Sequence, residues 1–342
     1  MKVLFYLTII NLLVSVPTLF GEPLQYKGSP NLPGNGKHVV LVSGDEEYRS
    51  EEAAVQLGRI LAKHHGFNCT VLFAINPETG EIDPVCTTNI PDLQVLKTAD
   101  VLVVNLRFRN LPDDQMQYFD DYFRTGKPAL GMRTSTHAFR IPKDRKFARY
   151  SFDYHDNTGN WEQGFGRKIL GETWINHHGH HGQEATRGII VSEKRTHPIV
   201  RGCDDIFGLT DVYRVRLPLS GDSMPLVLGQ VLAGMKPTDP PVAGSKNKPM
   251  MPIAWTKTYN IDDDNGKTGK VFTTTMGSSQ DLESEGFRRL LVNAVYWLAG
   301  LETIIQEMPE HANVGIVGNY ETLPMGFGKH KKGMKPENFV QD

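Results

Sequence analysis

The chain has 342 residues, with 37 lysines and arginines against 39 aspartates and glutamates and a formal net charge of −2. That balance excludes a nucleic-acid binder of the basic kind. Cys69, Cys86 and Cys203 are too few and too scattered for a disulfide framework, and with no CxxC pair they exclude a paired-thiolate zinc site.

Lys2 and the apolar run 3–14, "VLFYLTIINLLV", followed by a break at "SVPTLFG", predict a secretory signal peptide over 1–21. The protein is therefore expected to be exported, periplasmic or extracellular. No later segment is apolar for the ~20 residues a membrane helix needs, so the mature chain is expected to lack a transmembrane helix. Residues 22–37, rich in Pro and Gly, read as a linker. In an exported protein a Cys69–Cys86 bridge stays open as a possibility. Oligomeric state is not legible in the sequence.

"HVVLVS" (38–43) is a short apolar run of the kind buried on both faces of a sheet. A helix follows, with Ser50 as the expected N-cap, Glu51 and Glu52 in its first turn and Gly66 past its end. "CTVLFA" (69–74), "DVLVVNL" (100–106) and "PALGMR" (128–133) are further strands, and 112–126 is a helix with Met116, Phe119 and Phe123 on one stripe. This alternation predicts a parallel sheet flanked by helices. In the second half, 188–192, 211–217, 225–232, 252–259 and 270–277 read as strands, two or three of them in added hairpins. A last helix begins after Ser284 and carries Phe287, Leu290, Leu291, Ala294, Val295 and Leu298 on one face. Residues 301–342 form a loop-rich extension, read as a solvated arm wrapping the domain.

In an open parallel sheet, ligands sit at the carboxyl ends of the strands near the switch in strand order. That rule selects four loops. "GDEEYRS" carries Asp45, Glu46, Glu47, Tyr48 and Arg49, and "RFRN" carries Arg107 and Arg109. "RTSTHAF" carries Arg133, Thr134 and His137, and "GSSQDLES" carries Ser278 and Asp281.

The blocks "LVSGDEEYRSEE", "PALGMRTSTHAF", "GETWINHHGHHG", "THPIVRG", "DVYRV", "PIAWTKTY" and "GKVFTTTMGSSQDLESEGFRRLLVNAVYWLAG" together resemble the ThuA-like family, named for trehalose utilisation. More narrowly, they are similar to its exported members from planctomycete-type bacteria. The resemblance covers about residues 37–300, which sets a ThuA-like domain at 38–300. It implies a flavodoxin-like fold similar to class I glutamine amidotransferases, with added antiparallel strands. It also implies a saccharide or keto-sugar derivative as the small-molecule partner.

Those amidotransferases keep a cysteine in a tight strand-to-helix turn, and "PALGMRTS" places Arg133 at that position. A guanidinium cannot attack a carbonyl, so glutaminase activity is not expected. Asp45, Glu47 and His137 are the candidate acid–base groups. Tyr48, Arg107, Arg133, Thr134, Ser278 and Asp281 are the candidate contacts to a polyhydroxylated ligand.

His177, His178, His180 and His181 fall within five positions around Gly179. Two imidazoles from one loop are a common start for a zinc or manganese site, with a third ligand from Asp45, Glu47 or His155. They also suit polar contacts around a sugar pocket, or a plain surface loop. A metal would open hydrolysis or keto-sugar isomerisation or elimination to a chain without the cysteine. The alternative is a carbohydrate-binding or envelope interaction protein on an inactive scaffold.

Overall fold

The computed structural model describes residues 22–261, 267–307 and 313–340. The expected signal peptide lies outside the described residues. Among these, no helix is long and apolar enough to cross a membrane.

The first strands and helices are β1 (Leu24–Tyr26), β2 (His38–Gly44), α1 (Ser50–His65), β3 (Asn68–Phe73), β4 (Val101–Leu106), α2 (Asp113–Arg124) and β5 (Ala129–Met132). They are followed by β6 (Thr186–Ile190), β7 (Phe207–Gly208), β8 (Met224–Val231), β9 (Met251–Tyr259), β10 (Gly269–Thr274), α3 (Glu285–Leu298) and α4 (Glu302–Glu307). All ten strands form one sheet in the order β1-β3-β2-β4-β5-β10-β9-β8-β6-β7. The run β3-β2-β4-β5-β10 is parallel throughout. In order of appearance it reads second, first, third, fourth, fifth, which is the flavodoxin-like arrangement with its switch between β2 and β4. The added strands β9, β8, β6 and β7 continue the sheet antiparallel, with β8–β9 and β9–β10 as the expected hairpins.

The central strands read as unbroken apolar runs because both of their faces are covered. Val39 and Leu41 of β2, with Val101 and Val103 of β4, pack with Leu57, Ile60 and Leu61 of α1 and Leu290, Leu291 and Val295 of α3. The alternate residues Val40, Val42, Leu102 and Val104 pack with Met116, Phe119 and Phe123 of α2. Successive strand side chains point to opposite faces, so one apolar run serves two cores.

Three expectations are corrected. Residues 24–26 are not linker: they pair antiparallel with β3 as an edge strand. Residues 211–217 are not a strand of the sheet, since only Tyr213 makes a bridge there, to His177. Ser50 does not cap α1, because Arg49, in a left-handed conformation at φ 57°, occupies the cap position. The Ser50 hydroxyl instead meets Ser43 Oγ at 2.8 Å and accepts from the amide of Asp45 at 3.0 Å. Ser284 does cap α3, accepting from the amide of Phe287. The three cysteines are all free.

The first turn of α1 carries a charge that burial opposes. Glu51 is 5 % exposed. Burial pushes its carboxyl up to about 7, against the pull of Arg49, whose Nε lies 3.0 Å from Oε1. A carboxyl raised in the folded state contributes stability below its unfolded value, and that contribution is lost as pH rises through about 7. Thermal midpoints from pH 4 to pH 8 should therefore fall more steeply in the native protein than in Glu51→Gln. The span corresponds to up to about 3 kcal/mol. Parallel profiles would refute this.

Candidate functional site

The loops after β2, β4 and β5 lie side by side at the carboxyl end of the sheet, flanking the strand-order switch. The loop after β2 is organised by Asp45. Its Oδ1 accepts from the amides of Glu47 (2.8 Å) and Tyr48 (3.2 Å), and its Oδ2 accepts from Thr134 Oγ1 at 2.5 Å. Asp45 is fully buried, and burial pushes its carboxyl up to about 6. Its bonds are those of a carboxylate that shapes a turn. Glu47 and Glu46 face Arg107 and Arg109. Arg107 pairs with Glu46 and lies 3.5 Å from Glu47 Oε2, while Arg109 Nη2 donates to Glu46 at 2.8 Å.

Arg133, directly after β5, holds φ 42°, a strained conformation for a side-chain-bearing residue. Its guanidinium is fully buried. Nη1 donates to the carbonyls of Asp211 (2.7 Å) and Thr275 (2.8 Å), and Nη2 donates to Asp211 Oδ1 (2.7 Å) and Tyr48 Oη (3.0 Å). The rings of Tyr48 and Tyr213 lie 4.5 and 3.7 Å from its central carbon. Both terminal nitrogens are thus engaged by the protein, so Arg133 is placed as an internal strut beneath the site. The ligand-gripping fork expected from the sequence would need open terminal donors, and the one nitrogen without a partner, Nε, is buried.

Asp211 is the residue that sequence reasoning missed as a candidate, although the block "DVYRV" begins with it. Its side chain is fully buried; Oδ2 meets His177 Nδ1 at 2.7 Å, and Oδ1 meets His181 Nδ1 at 3.2 Å. Burial works against its charge, but Arg133 and the two imidazoles outweigh that and hold the carboxyl well below the usual range. An ionised carboxylate only accepts hydrogen bonds, so both Nδ1 atoms carry the proton and each ring turns Nε2 away from Asp211. His181 Nε2 lies 3.5 Å from Glu47 Oε1. The hydrogen bond to Asp211 raises the pKa of His181 above its ordinary value.

The histidine loop meets residues 211–213 by backbone pairing. The amides of His178 and Gly179 donate to the carbonyl of Val212, and the amide of Arg214 donates to that of Asn176. Gly179 is packed here, since a Cβ on it would sit 3.2 Å from that of Asp211. Only His177 and His181 reach the carboxylate. His178 and His180, expected among the metal ligands, are held elsewhere: His178 Nε2 bonds the carbonyl of Lys246 at 2.8 Å, and the amide of His180 donates to Glu184. His155, an expected alternative ligand, pairs with Glu162 on an exposed loop.

One nitrogen of each of His177 and His181 and one oxygen of Asp211 lie within 4.8 Å of one another. Imidazole and carboxylate are the donors a borderline divalent ion prefers. Asp211 is already shared with Arg133 and orients the two imidazoles. The Nε2 atoms of the two rings then point away from Asp211, that of His181 toward Glu47.

Aromatic rings wall the site. His137 is buried, and burial together with the cations around it holds its pKa well below the ordinary value, so it is neutral. Its ring contacts those of Phe108, Phe152, Trp174 and Tyr213, with centroids 4.9 to 6.4 Å apart. Trp174 and Tyr213 also flank His177. Neither was singled out in the sequence. Ser278 and Asp281 sit in a closed turn. The Asp281 carboxylate accepts from the amides of Gly277, Ser278 and Thr210 and from Thr210 Oγ1, which leaves it no evident capacity for a ligand.

The imidazole pair is about a third exposed. It lies outside the larger cavities, one of about 470 Å³ between the start of α1 and the C-terminal arm and one of about 750 Å³ beside the start of α3.

The family model for ThuA, trehalose utilisation, matches residues 38–298. The chain belongs to the ThuA family. Its fold is similar to that of a ThuA-like protein from Bacteroides uniformis, at 16 % identity and a TM-score of 0.43, covering 78 % of this chain and 92 % of the other. It is also similar to one from Parabacteroides merdae, at 16 % identity and a TM-score of 0.44, covering 77 % and 90 %. No functionally curated protein matches the chain. The matched span of this ThuA chain includes every residue of the imidazole–carboxylate cluster and ends before the C-terminal arm.

Proposed function

We propose that this ThuA protein is exported and binds and converts a saccharide or keto-sugar derivative at the rim formed by Glu47, His137, Trp174, His177, His181 and Tyr213. The observation that carries the reading is the buried Asp211 carboxylate, fixed from below by Arg133 and orienting two imidazoles from above. Such a scaffold is worth assembling where two ring nitrogens must be presented in a set direction. The aromatic rings suit the apolar faces of a sugar, and Glu47 and Arg107 suit its hydroxyls.

The donor set of two imidazoles and a carboxylate fits zinc or manganese, with His177, His181 and Asp211 as the residues grouped closely enough to hold it. Bound there, the ion would supply Lewis-acid polarisation of a carbonyl or a water. Glu47 and the imidazoles are the groups placed to move a proton. A second reading, a carbohydrate-binding protein without turnover, is favoured by one observation. Two hydroxyls of the turn after β5 are committed: Thr134 donates to Asp45, and Ser135 Oγ donates to the carbonyl of Val104 at 2.6 Å.

The test is calorimetric titration of the mature chain with zinc, manganese, trehalose, glucose and a 3-keto-glucoside, followed by product analysis with each sugar. Saccharide binding with turnover that depends on the metal supports the first reading. Binding without turnover selects the second, and binding of none of the sugars discards both.

A further inference from the structure

The C-terminal arm places an aromatic ring against Arg107, which itself contacts Glu47 of this rim. Phe327 lies beyond the span matched by the family model and is 61 % exposed, yet its position is fixed. It sits between Gly326 at φ 136° and Gly328 at φ 69°, conformations that side-chain-bearing residues rarely adopt. On one side of the turn, the amide of Gly326 donates to the carbonyl of Glu47 at 2.7 Å. On the other, the carbonyl of Lys329 accepts from Arg49 Nη1 at 2.5 Å. The turn is closed by the Lys329 amide donating to Gly326. Two glycines and two hydrogen bonds thus clamp an aromatic ring to the acidic loop of the site.

The guanidinium carbon of Arg107 is 4.9 Å from the Phe327 ring centroid and 4.6 Å from that of Phe108. Arg107 in turn contacts Glu47, and Glu47 contacts His181. The path from the imidazoles to Phe327 therefore crosses two side chains. Phe327 thus lies outside the imidazole pair in the contact network, joined to it through Arg107 and Glu47.

We propose that Phe327 is a stacking platform for an outer sugar ring, which makes this arm a specificity element for saccharides of two or more rings. The inference rests on the saccharide reading above. Phe327 is a surface ring, so its removal leaves both cores intact.

The experiment titrates trehalose and glucose separately into the full mature chain, as native protein, Phe327→Ala and Phe327→Tyr. Phe327→Ala should weaken trehalose binding roughly tenfold, the scale of one aromatic stacking contact. Glucose affinity should stay within about twofold, and Phe327→Tyr should restore trehalose affinity. Native-like trehalose binding by Phe327→Ala, or an equal loss for both sugars, overturns the subsite alone. Failure of the native protein to bind either sugar overturns the saccharide reading and the subsite with it.

Discussion

Arg133→Met is expected to cost about 3–5 kcal/mol of stability, because it leaves the Asp211 carboxylate buried without its cationic partner. The pair is fully enclosed, and Asp211 keeps only the two imidazoles as donors once the guanidinium is gone. Asp211→Asn should cost less in the Arg133→Met background than in the native one, since the charge it removes is then unpaired. Denaturant melts of the two single variants and the double variant complete the cycle. Costs that simply add would show that the two side chains act independently. The acid limb gives a second readout. A carboxyl held below its unfolded value contributes stability above that value, which is lost as pH falls through the folded one. In Arg133→Met this acid-side contribution should shrink.

On the catalytic reading proposed above, His181→Ala is expected to lower turnover by about 10²- to 10⁴-fold, the range for losing a positioned proton-transfer or ligand group. The fold should survive, because the imidazole is 38 % exposed and contacts the protein through Asp211, Glu47 and Tyr48. His178→Ala should leave turnover within about twofold, since its ring is bonded to the Lys246 carbonyl away from the cluster. Equal losses for the two variants would dissolve the distinction between the paired and the outlying histidines. Circular dichroism of both variants separates loss of activity from loss of structure.

These contrasts show which parts of the molecule the sequence discloses. The parallel core was legible because strands covered on both faces must be apolar at every position, as Val39 to Val42 are. The candidate loops were legible because each directly follows an apolar strand. The inner division of labour was not. Arg133 and Asp45 carry charges that suggest ligand contact, and only burial reveals that their partners are internal. The alternation of Tyr213, Val215 and Leu217 imitates a strand, yet the segment pairs with the histidine loop through a single bridge at Tyr213. That pairing brings Asp211 under His177 and His181, and no spacing within either segment encodes it. Phe327 was hidden for a different reason: a glycine-flanked ring in a basic tail has the composition of a solvated arm, and its docking depends on backbone groups that carry no sequence signature.

The two outermost strands of the sheet are also its shortest, three residues in β1 and two in β7. Long open margins invite a neighbouring polypeptide to add itself by main-chain pairing, and natural proteins curtail them. Here each flank offers an incoming chain only a few free amides and carbonyls. Short margins of this kind disfavour growth of a sheet by edge-to-edge pairing.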